Sequence, residues 1–352
     1  MPTSPLATDL SSTTHGRRLS GGVARAGLLL LATGALALTA LLSLRVGSVA
    51  VSSRDVLGAL FAYAPESYEQ TVVRALRLPR TIVGAGVGAA LALAGAGMQA
   101  ATRNPLAEPA LLGVNSGAAF AIVTAVYLGH LAHPLQHIWF GFLGGLGSAA
   151  LVYAIGSAGP GGATPVKLAL AGMVVSALLG SWTTALLLLD QQALEVVRFW
   201  LVGSLAGRDL GVFRAVSPFL LAGIGGMLLL GRHLTVLSLG EEAARSLGMH
   251  TGRVRALVVG LVALMTGAAV AAAGPIGFVG LAVPHMVRGL VGPDYRWVLP
   301  LCLVTGPLVL LGADILGRVL ARPGELPVGI VTALLGAPFL IALARRRRGV
   351  EP

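Results

Sequence analysis

The chain has 352 residues, of which 55% are hydrophobic and only 11% are charged, and its mean hydropathy is +0.85. This composition excludes an ordinary soluble domain and indicates a protein that crosses a membrane many times. The formal net charge of +11 does not indicate nucleic-acid binding, because the basic residues are dispersed between apolar stretches without interleaved aromatic residues.

Ten apolar stretches have the length of a membrane-spanning helix. A bilayer core about 30 Å thick needs roughly 20 helical residues, so we expect an all-α fold, a polytopic helical bundle with about ten transmembrane helices. Residues 22–345 are predicted to form this single domain, between a disordered polar tail, 1–21, and a basic tail, 346–352. The predicted spans are Val23–Leu44, Pro79–Ala101, Ala110–Gly129, Ile138–Ser157, Val166–Leu189, Gly211–Leu230, Arg253–Ala273, Ile276–Val291, Trp297–Leu320 and Pro327–Ala344.

The second and third spans lie in the stretch RLPRTIVGAGVGAALALAGAGMQAATRNPLAEPALLGVNSG, residues Arg77–Gly117. Gly and Ala let neighbouring helices approach closely, so we expect the second span at the centre of the bundle. Pro105 and Pro109 lack amide donors and disfavour helix at the preceding residue, so they must break the path between the two spans. A gate segment and a plain turn account equally well for this break, and Asn104 and Asn115 would satisfy freed backbone groups in either case.

The fifth span carries several hydroxyl side chains. A wall of small and hydroxylated side chains would let a bulky solute pass without holding it. Hydroxyls that bond to their own helix are an equally good explanation. The residues concerned are Ser176, Ser181, Thr183 and Thr184.

The stretch between the fifth and sixth spans is Gln191–Gly207. It is too short and too charged to cross the bilayer. We therefore predict an interfacial helix, with Trp200 at the depth of the lipid headgroups.

The loop between the sixth and seventh spans reads LTVLSLGEEAARSLGMHTGRVR. Glu241 and Glu242 follow Gly240 and suit the positive end of a helix, and Gly248 is a typical helix stop. These signals predict a short polar helix, Glu241–Leu247, outside the membrane. Such a helix is either a docking element for a partner protein or a solvated connector.

The later spans contain a second break and one ion pair. Gly274 and Pro275 separate the seventh and eighth spans, and Pro284 lies toward the inner end of the eighth. Asp314 and Arg318 are four residues apart on one face of the ninth span, so they are expected to pair and to lower the cost of charge near lipid.

The C-terminal basic run fixes the predicted topology. Residues Arg345–Arg348 follow the last span directly and favour the cytoplasmic side. Because the number of spans is even, both termini are predicted to be cytoplasmic.

Several kinds of chemistry have no candidate residues here. The chain has no GxxxxGK[ST] nucleotide-binding loop and no metal-ligand cluster, and its one cysteine, Cys302, lies in an apolar run. We therefore predict no catalytic residue, no metal site and no cofactor in this chain. If the protein moves a solute uphill with ATP, another chain hydrolyses the ATP.

The loop helix is similar to a known motif. Glu242, Ala243, Ala244 and Gly248 resemble the EAA-three-residues-Gly pattern with which bacterial ABC importer permeases place a coupling helix in a cleft of the ATPase. Further motifs, in the right order, resemble the FecCD-type permeases: RLPR at Arg77–Arg80, Gln99 followed by RNPLAEPALLG at Arg103–Gly113, GPIGFVGLAVPHMVR at Gly274–Arg288, AD with Arg four residues on at Ala313–Arg318, and LPVGIVTALLGAPFL at Leu326–Leu340.

This resemblance implies the type II ABC importer permease fold and a function. Such permeases dimerise around a central path in the bacterial cytoplasmic membrane and import iron-siderophore complexes, haem or cobalamin. We expect ferric siderophores as cargo, with haem or cobalamin as the alternative. The implied partners are two ABC ATPase subunits, which hold ATP and Mg, an extracytoplasmic substrate-binding protein and a second permease subunit, identical or not.

The resemblance also implies roles for individual residues. From the residues alone, Arg77 and Arg80 are better explained as interface anchors, but in the family outward-facing arginines at these positions dock the binding protein, and Arg318 is a third docking candidate. Arg322 and Glu325 are neighbours of the same rim. The implied coupling residues are Glu241, Glu242, Ala243, Ala244 and Gly248, and the implied gate or translocation path contains Asn104, Pro105, Pro109, Ser176, Ser181, Thr184 and Pro284.

One rival class is an ion-driven secondary transporter. That mechanism usually needs ionisable groups near the middle of the membrane. The best candidate, Asp314, is expected near the outer edge beside an arginine, so the sequence favours the ATP-driven importer.

Overall fold

The computed structural model describes residues 21–47, 50–129, 134–159 and 163–348, and within these ranges the chain is helical with no strand. The predicted N-terminal tail lies almost wholly outside the described residues, as do residues 349–352. The helices are α1 Gly22–Arg45, α2 Ser53–Phe61, α3 Tyr68–Val72, α4 Leu78–Thr102, α5 Val114–Gly129, α6 Pro134–Ser157, α7 Pro165–Leu189, α8 Gln191–Leu201, α9 Leu210–Leu229, α10 Gly231–Ser238, α11 Glu241–Ser246, α12 Thr251–Ala273, α13 Val279–Val291, α14 Tyr295–Leu320 and α15 Val328–Arg348.

The number of apolar helices confirms the predicted bundle. In the described part of the chain, seven helices are long and apolar enough to cross a membrane: α1, the continuous helix formed by α3 and α4, α6, α7, α9, α12 and α14. Three shorter apolar helices, α5, α13 and the first two-thirds of α15, bring the total to the predicted ten.

Helix α4 occupies the centre of the bundle, as its Gly and Ala content predicts. Every residue from Val87 to Thr102 is buried, and α4 contacts α9, α12, α13 and α14. A Cβ atom on Gly95 would lie 1.7 Å from the carbonyl oxygen of Gly280 in α13. Only a residue without a side chain allows this approach of the two backbones.

The start of the second span differs from the prediction. The helix begins at Tyr68 and continues for 35 residues through a π-helical turn, Val73–Arg77, into α4. In this turn the Leu78 amide donates to the carbonyl of Val73, five residues back. The turn ends two residues before Pro79, which has no amide to donate. The chain therefore stays helical through a proline that, from the sequence, looks like a helix start.

Two helices begin inside the bundle instead of at its ends. Helix α4 ends at Arg103 in the left-handed conformation (φ 52°), and the following residues, 104–113, lead back into the bundle before α5 begins. We call residues 104–113 the re-entrant segment. Its Pro109 packs beside Gly280, near the start of α13 and level with Leu91 in α4. This placement explains why α5 and α13 have only 16 and 13 residues.

The predicted interfacial helix is shorter than expected and covers the protein. Helix α8 ends at Leu201, and Trp200 is only 7% exposed, in a cluster with Val197, Ala118 and Val270. Trp200 is therefore not an exposed lipid anchor, because the apolar face of α8 packs on α5 and α7. An amphipathic pattern alone does not distinguish an apolar face that contacts lipid from one that packs on other helices.

Candidate functional site

Two groups of charged residues lie at opposite ends of α4. One contains Arg80, in the first turn, and the other contains Arg103, which follows the last residue. A helix of 25 residues spans about 38 Å at 1.5 Å per residue. The two groups are called the arginine cluster and the Glu241 cluster below, and the corresponding ends of the bundle are the arginine end and the α11 end.

In the arginine cluster, one buried carboxylate serves two guanidinium groups. Asp314 is fully buried and accepts three hydrogen bonds of 2.8–3.2 Å from Arg80. It also lies 3.0 Å from Arg318, which is the ion pair predicted from their spacing. Arg80 donates a further hydrogen bond of 2.6 Å to Glu325. Burial of these charges is possible because each has an opposite partner.

The other two arginines of the cluster cap the end of α1. Arg77 donates to the carbonyls of Leu44 and Arg45 at 3.0 and 2.6 Å. Arg318 donates to the carbonyls of Ser43 and Val46 at 2.9 and 2.7 Å and to the Ser43 hydroxyl at 2.7 Å. The last carbonyls of a helix have no partner within it, and a cationic donor there is favourable.

The structure brings the three predicted docking arginines, Arg77, Arg80 and Arg318, together at one end of the bundle. Arg77 and Arg318 are only 6% and 2% exposed, and both donate hydrogen bonds to carbonyls of α1. The side chain of Arg80 is 11% exposed, and all three arginines line, with Glu325 and Gly207, a cleft of about 240 Å³. Docking of a partner at this cluster stays a prediction.

Helix α11 forms where the sequence predicts it. Gly240 and Gly248 flank it with φ values of 124° and 79°, which side chains with a Cβ rarely adopt. Ala244 is buried, whereas Glu242 is exposed. Two flanking leucines, Leu239 and Leu247, are about two-thirds exposed, at 66% and 67%. The helix thus presents an acid between two apolar side chains, and its role in coupling stays a prediction.

Glu241 faces the bundle and lies among three arginines from three elements. Its carboxylate is 2.7 Å from Arg245 on α11, 3.4 Å from Arg255 on α12 and 3.8 Å from Arg103 at the end of α4. Partial burial raises the pKa of Glu241, but the attraction of Arg255 and the other two arginines outweighs it, so the pKa is lowered overall. Glu241 therefore stays ionised at neutral pH.

Arg255 extends the Glu241 cluster into the bundle. It is only 8% exposed and donates to the carbonyl of Ala101 in the last turn of α4 at 3.2 Å. A second donor reaches the carbonyl of Ala163, just before α7, at 3.3 Å. Sequence patterns could not predict these contacts of Arg255, because two of its three acceptors are backbone carbonyls.

The re-entrant segment is ordered by its own polar residues. The Asn104 side chain accepts a hydrogen bond of 2.9 Å from the Leu106 amide, which shapes the turn that contains Pro105. At the other side, Glu108 accepts a hydrogen bond of 2.9 Å from the amide of Phe278, immediately before α13. Glu108 was not predicted as a site residue, and its sequence separation from Phe278 of 170 residues gives no pattern that would reveal it.

A second polar contact joins α4 to α13. Arg288 donates to the side-chain oxygen of Gln99, and the Gln99 amide donates to the carbonyls of Gly280 and Leu281 at 3.3 Å. Pro284 is buried in the middle of α13, and not toward its inner end. The buried glutamine therefore holds the first part of α13 against the central helix.

The hydroxyl residues of α7 divide into two groups. Ser181 and Thr183 donate to carbonyls four residues back in their own helix, at 2.9 and 2.7 Å, as the alternative interpretation of this span expects. Ser181 and Thr184 are exposed on the outer face of α7. Ser176 is half-buried, with its hydroxyl 3.4 Å from where a Cβ of Gly113 would lie, so it contacts the end of the re-entrant segment.

Among the described residues, no group of three or more His, Cys, Asp or Glu side chains lies close enough to hold a metal ion. The polar groups of these sites are instead used in ion pairs and backbone contacts. Their arrangement is suited to holding helices together.

Comparison with known proteins identifies the family. Residues 35–346 match the FecCD transport family. The chain is 44% identical over 310 residues to the Fe(3+)-citrate import system permease protein YfmD of Bacillus subtilis (strain 168), covering 88% of this chain and 92% of that protein. It is also 44% identical over 326 residues to the ferric enterobactin transport system permease protein FepD of Escherichia coli (strain K12), covering 92% and 96%.

A solved structure has the same fold over almost its whole length. It is a metal-chelate type ABC transporter in an inward-facing conformation, with a TM-score of 0.80 and 32% identity, covering 91% of this chain and 99% of that chain. This match confirms the predicted permease fold, and the apolar helices agree with a multi-pass membrane protein. The chain belongs to the FecCD transport family.

Proposed function

We propose that this chain is the transmembrane permease subunit of an ATP-driven importer for a ferric siderophore or a similar metal chelate. It would work with a second permease, two ATPase subunits and an extracytoplasmic binding protein. The observation that carries the proposal is that α11 presents Glu242, Leu239 and Leu247 to the outside, while Glu241 on the same helix is tied to the bundle. A partner that pushes on α11 would act on the end of the central helix through Glu241, Arg103 and Arg255.

The direction of the chain supports a cytoplasmic position for α11. Helix α1 ends, and α15 begins, at the arginine end: Val46 contacts Arg318, and the Gly329 amide donates to the carbonyl of Gly203. Both helices therefore have their terminal sides at the α11 end. The basic residues at the end of α15 favour the cytoplasm, so α11 would face the ATPases and the arginine cluster would face the binding protein.

The arginine end offers a surface that fits an acidic partner. Arg77, Arg80 and Arg318 exceed Asp314 and Glu325 by one positive charge, and Arg80 opens onto the cleft. A carboxylate of the binding protein would reach Arg80 first. Complementary charge of this kind contributes mainly to specificity and association rate.

The cargo follows from the relatives by analogy. Two relatives of equal identity are named for ferric citrate and ferric enterobactin. These chelates differ greatly in structure, so a shared permease sequence fits a pathway that passes ferric chelates while the binding protein selects among them. Haem and cobalamin remain the alternative cargoes.

Reconstitution tests the proposal. The chain is co-expressed with candidate ATPase, permease and binding-protein genes of the same genome, purified and placed in proteoliposomes. We expect ATP-dependent uptake of a radiolabelled ferric siderophore that requires the binding protein, with haem and cobalamin as competing cargoes in parallel assays. Uptake driven by a proton or sodium gradient without ATP would contradict the proposal and favour a secondary transporter.

A further inference from the structure

We propose that Glu241 and Arg255 are positioning residues that make α11 and the start of the re-entrant segment move as one body. The inference rests on the proposed function, because it says how a push on α11 reaches the interior of the permease. It goes beyond that function in assigning the transmission to two named side chains. Neither residue touches substrate or nucleotide in this role.

The two adjacent acids of α11 have different surroundings. Glu242 is exposed and points away from the bundle, whereas Glu241 faces Arg103, Arg245 and Arg255. Only one of these partners, Arg245, belongs to α11 itself. Glu241 therefore joins α11 to α4 and α12, and Glu242 is left available for a partner.

Arg255 lies between three elements of the structure. Its guanidinium contacts the Glu241 carboxylate, the carbonyl of Ala101 and the carbonyl of Ala163. A planar guanidinium with donors in fixed directions suits three acceptors from three different elements. A lysine would keep the charge but lose the fixed directions of the donors. Arg255 thus connects α11 with the last turn of α4 and with Ala163, two residues before α7.

The chain enters the re-entrant segment shortly after Ala101. Two residues later, Arg103 ends α4 with a φ of 52°, and the re-entrant segment begins. At its far side, Glu108 bonds the Phe278 amide at the start of α13. The segment is therefore held near both sides, by the Glu241 cluster and by α13. A displacement of α11 would therefore be passed to this segment.

The re-entrant segment has space to move. A cleft of about 220 Å³ lies between its residues Asn104, Ala107 and Leu111 and the start of α7 at Pro165. Close-packed interiors move between discrete arrangements and do not deform continuously. An open cleft on one side of the segment provides the room for such a second arrangement.

The first test compares coupling in Glu241→Gln and Arg255→Gln with that of the wild type. Each variant is assembled with its partners in proteoliposomes, and ATP hydrolysis and uptake of a ferric siderophore are measured in the same sample. We expect hydrolysis to continue while the chelate moved per ATP falls about tenfold. The double variant should be no worse than Arg255→Gln alone, because both changes break the same connection.

Matched variants separate this role from loss of charge or of docking. Arg253→Gln removes the same charge two residues away at an exposed position and should keep the wild-type ratio. Arg255→Lys should fall between the wild type and Arg255→Gln. Glu242→Gln should instead weaken capture of the ATPase. An ATPase that never binds would refute the proposed function, whereas a bound ATPase with an unchanged ratio in both glutamine variants would refute only this inference.

A second measurement needs no transported cargo. Nitroxide labels at Leu106→Cys and Ser246→Cys, in a Cys302→Ser background, report the distance between the re-entrant segment and α11 by pulsed electron paramagnetic resonance. We expect this distance to stay the same with and without ATP in the wild type, and to change in Glu241→Gln. An equal change in the wild type, or a proportional loss of hydrolysis and uptake in the first test, would overturn the inference.

Discussion

The carboxylate of Glu325 lies 2.6 Å from the guanidinium of Arg80, on the side of Arg80 that faces the cleft. Arg80 and Glu325 both line this cleft, so Glu325 occupies a position that an incoming carboxylate would take. The Asp314 side of Arg80 is closed, because Asp314 is fully buried. The permease therefore carries its own competitor for the proposed docking partner.

Removing this competitor should strengthen docking. In Glu325→Gln, Arg80 keeps its hydrogen bonds to Asp314 but loses the charge of its second partner, so the binding protein should bind about fivefold more tightly, equivalent to a gain of ~1 kcal/mol. Biolayer interferometry with the permease assembly in nanodiscs measures the affinity. Glu66→Gln removes an exposed acid from another loop and serves as the control. Weaker binding in Glu325→Gln would mean that Glu325 contacts the partner itself.

Asp314→Asn should destabilise the protein strongly. The substitution leaves Arg80 and Arg318 close together without the carboxylate between them, and breaking a buried ion pair by removing one partner costs about 3–5 kcal/mol. Cys302 is buried, so a thiol-reactive dye reports thermal unfolding directly. Asp294→Asn is the matched control, because its ion pair is with the exposed Arg296, and asparagine can still accept from Thr235 and caps helices well. Equal melting temperatures for the two variants would contradict this account.

The sequence predicted the spans because their information is local. Apolar length located ten helices to within a few residues, except at Pro79, where a π-helical turn carries the helix past a proline. The Gly and Ala content placed α4 at the centre, and Gly240 with Gly248 marked α11. In each case the residues that form the helix, or end it, are the same residues whose types predict it.

Contacts between distant residues could not be predicted in the same way. Arg77 and Arg318 are buried and donate to carbonyls at the end of α1. Every residue has a backbone carbonyl, so the pattern of side chains does not show which carbonyl accepts the bond. Arg255 and Ala101 are separated by 154 residues, and Glu108 and Phe278 by 170. Motif similarity identified the arginines as important, but only the three-dimensional structure gives the partners of their donors.

Gly95→Ala should disrupt the core of the bundle. The new Cβ would lie 1.7 Å from the Gly280 carbonyl, and because that atom belongs to the backbone, α4 and α13 must separate. Overpacking of this kind costs about 3 kcal/mol. Gly147→Ala in α6 is the control, since its Cβ would meet no atom within 4 Å. The dye-detected melting temperature should fall for Gly95→Ala and stay unchanged for Gly147→Ala; a wild-type melting temperature for both would show that the helices tolerate a wider separation.

The contribution of Glu241 to stability should depend on pH with a defined sign. Its pKa is lowered in the folded protein, since the three arginines outweigh the effect of partial burial, so the unfolded chain binds the proton more readily. The stabilisation is therefore fully present above the ordinary pKa of a glutamate and is lost as the pH falls through the lowered pKa. Melting curves of the wild type and Glu241→Gln between about pH 7 and pH 3 should show a gap that is constant near neutrality and closes at acid pH. Because both proteins share every other titrating group, a gap that persists unchanged to the lowest pH would rule out an ionic origin for the stabilising effect of Glu241.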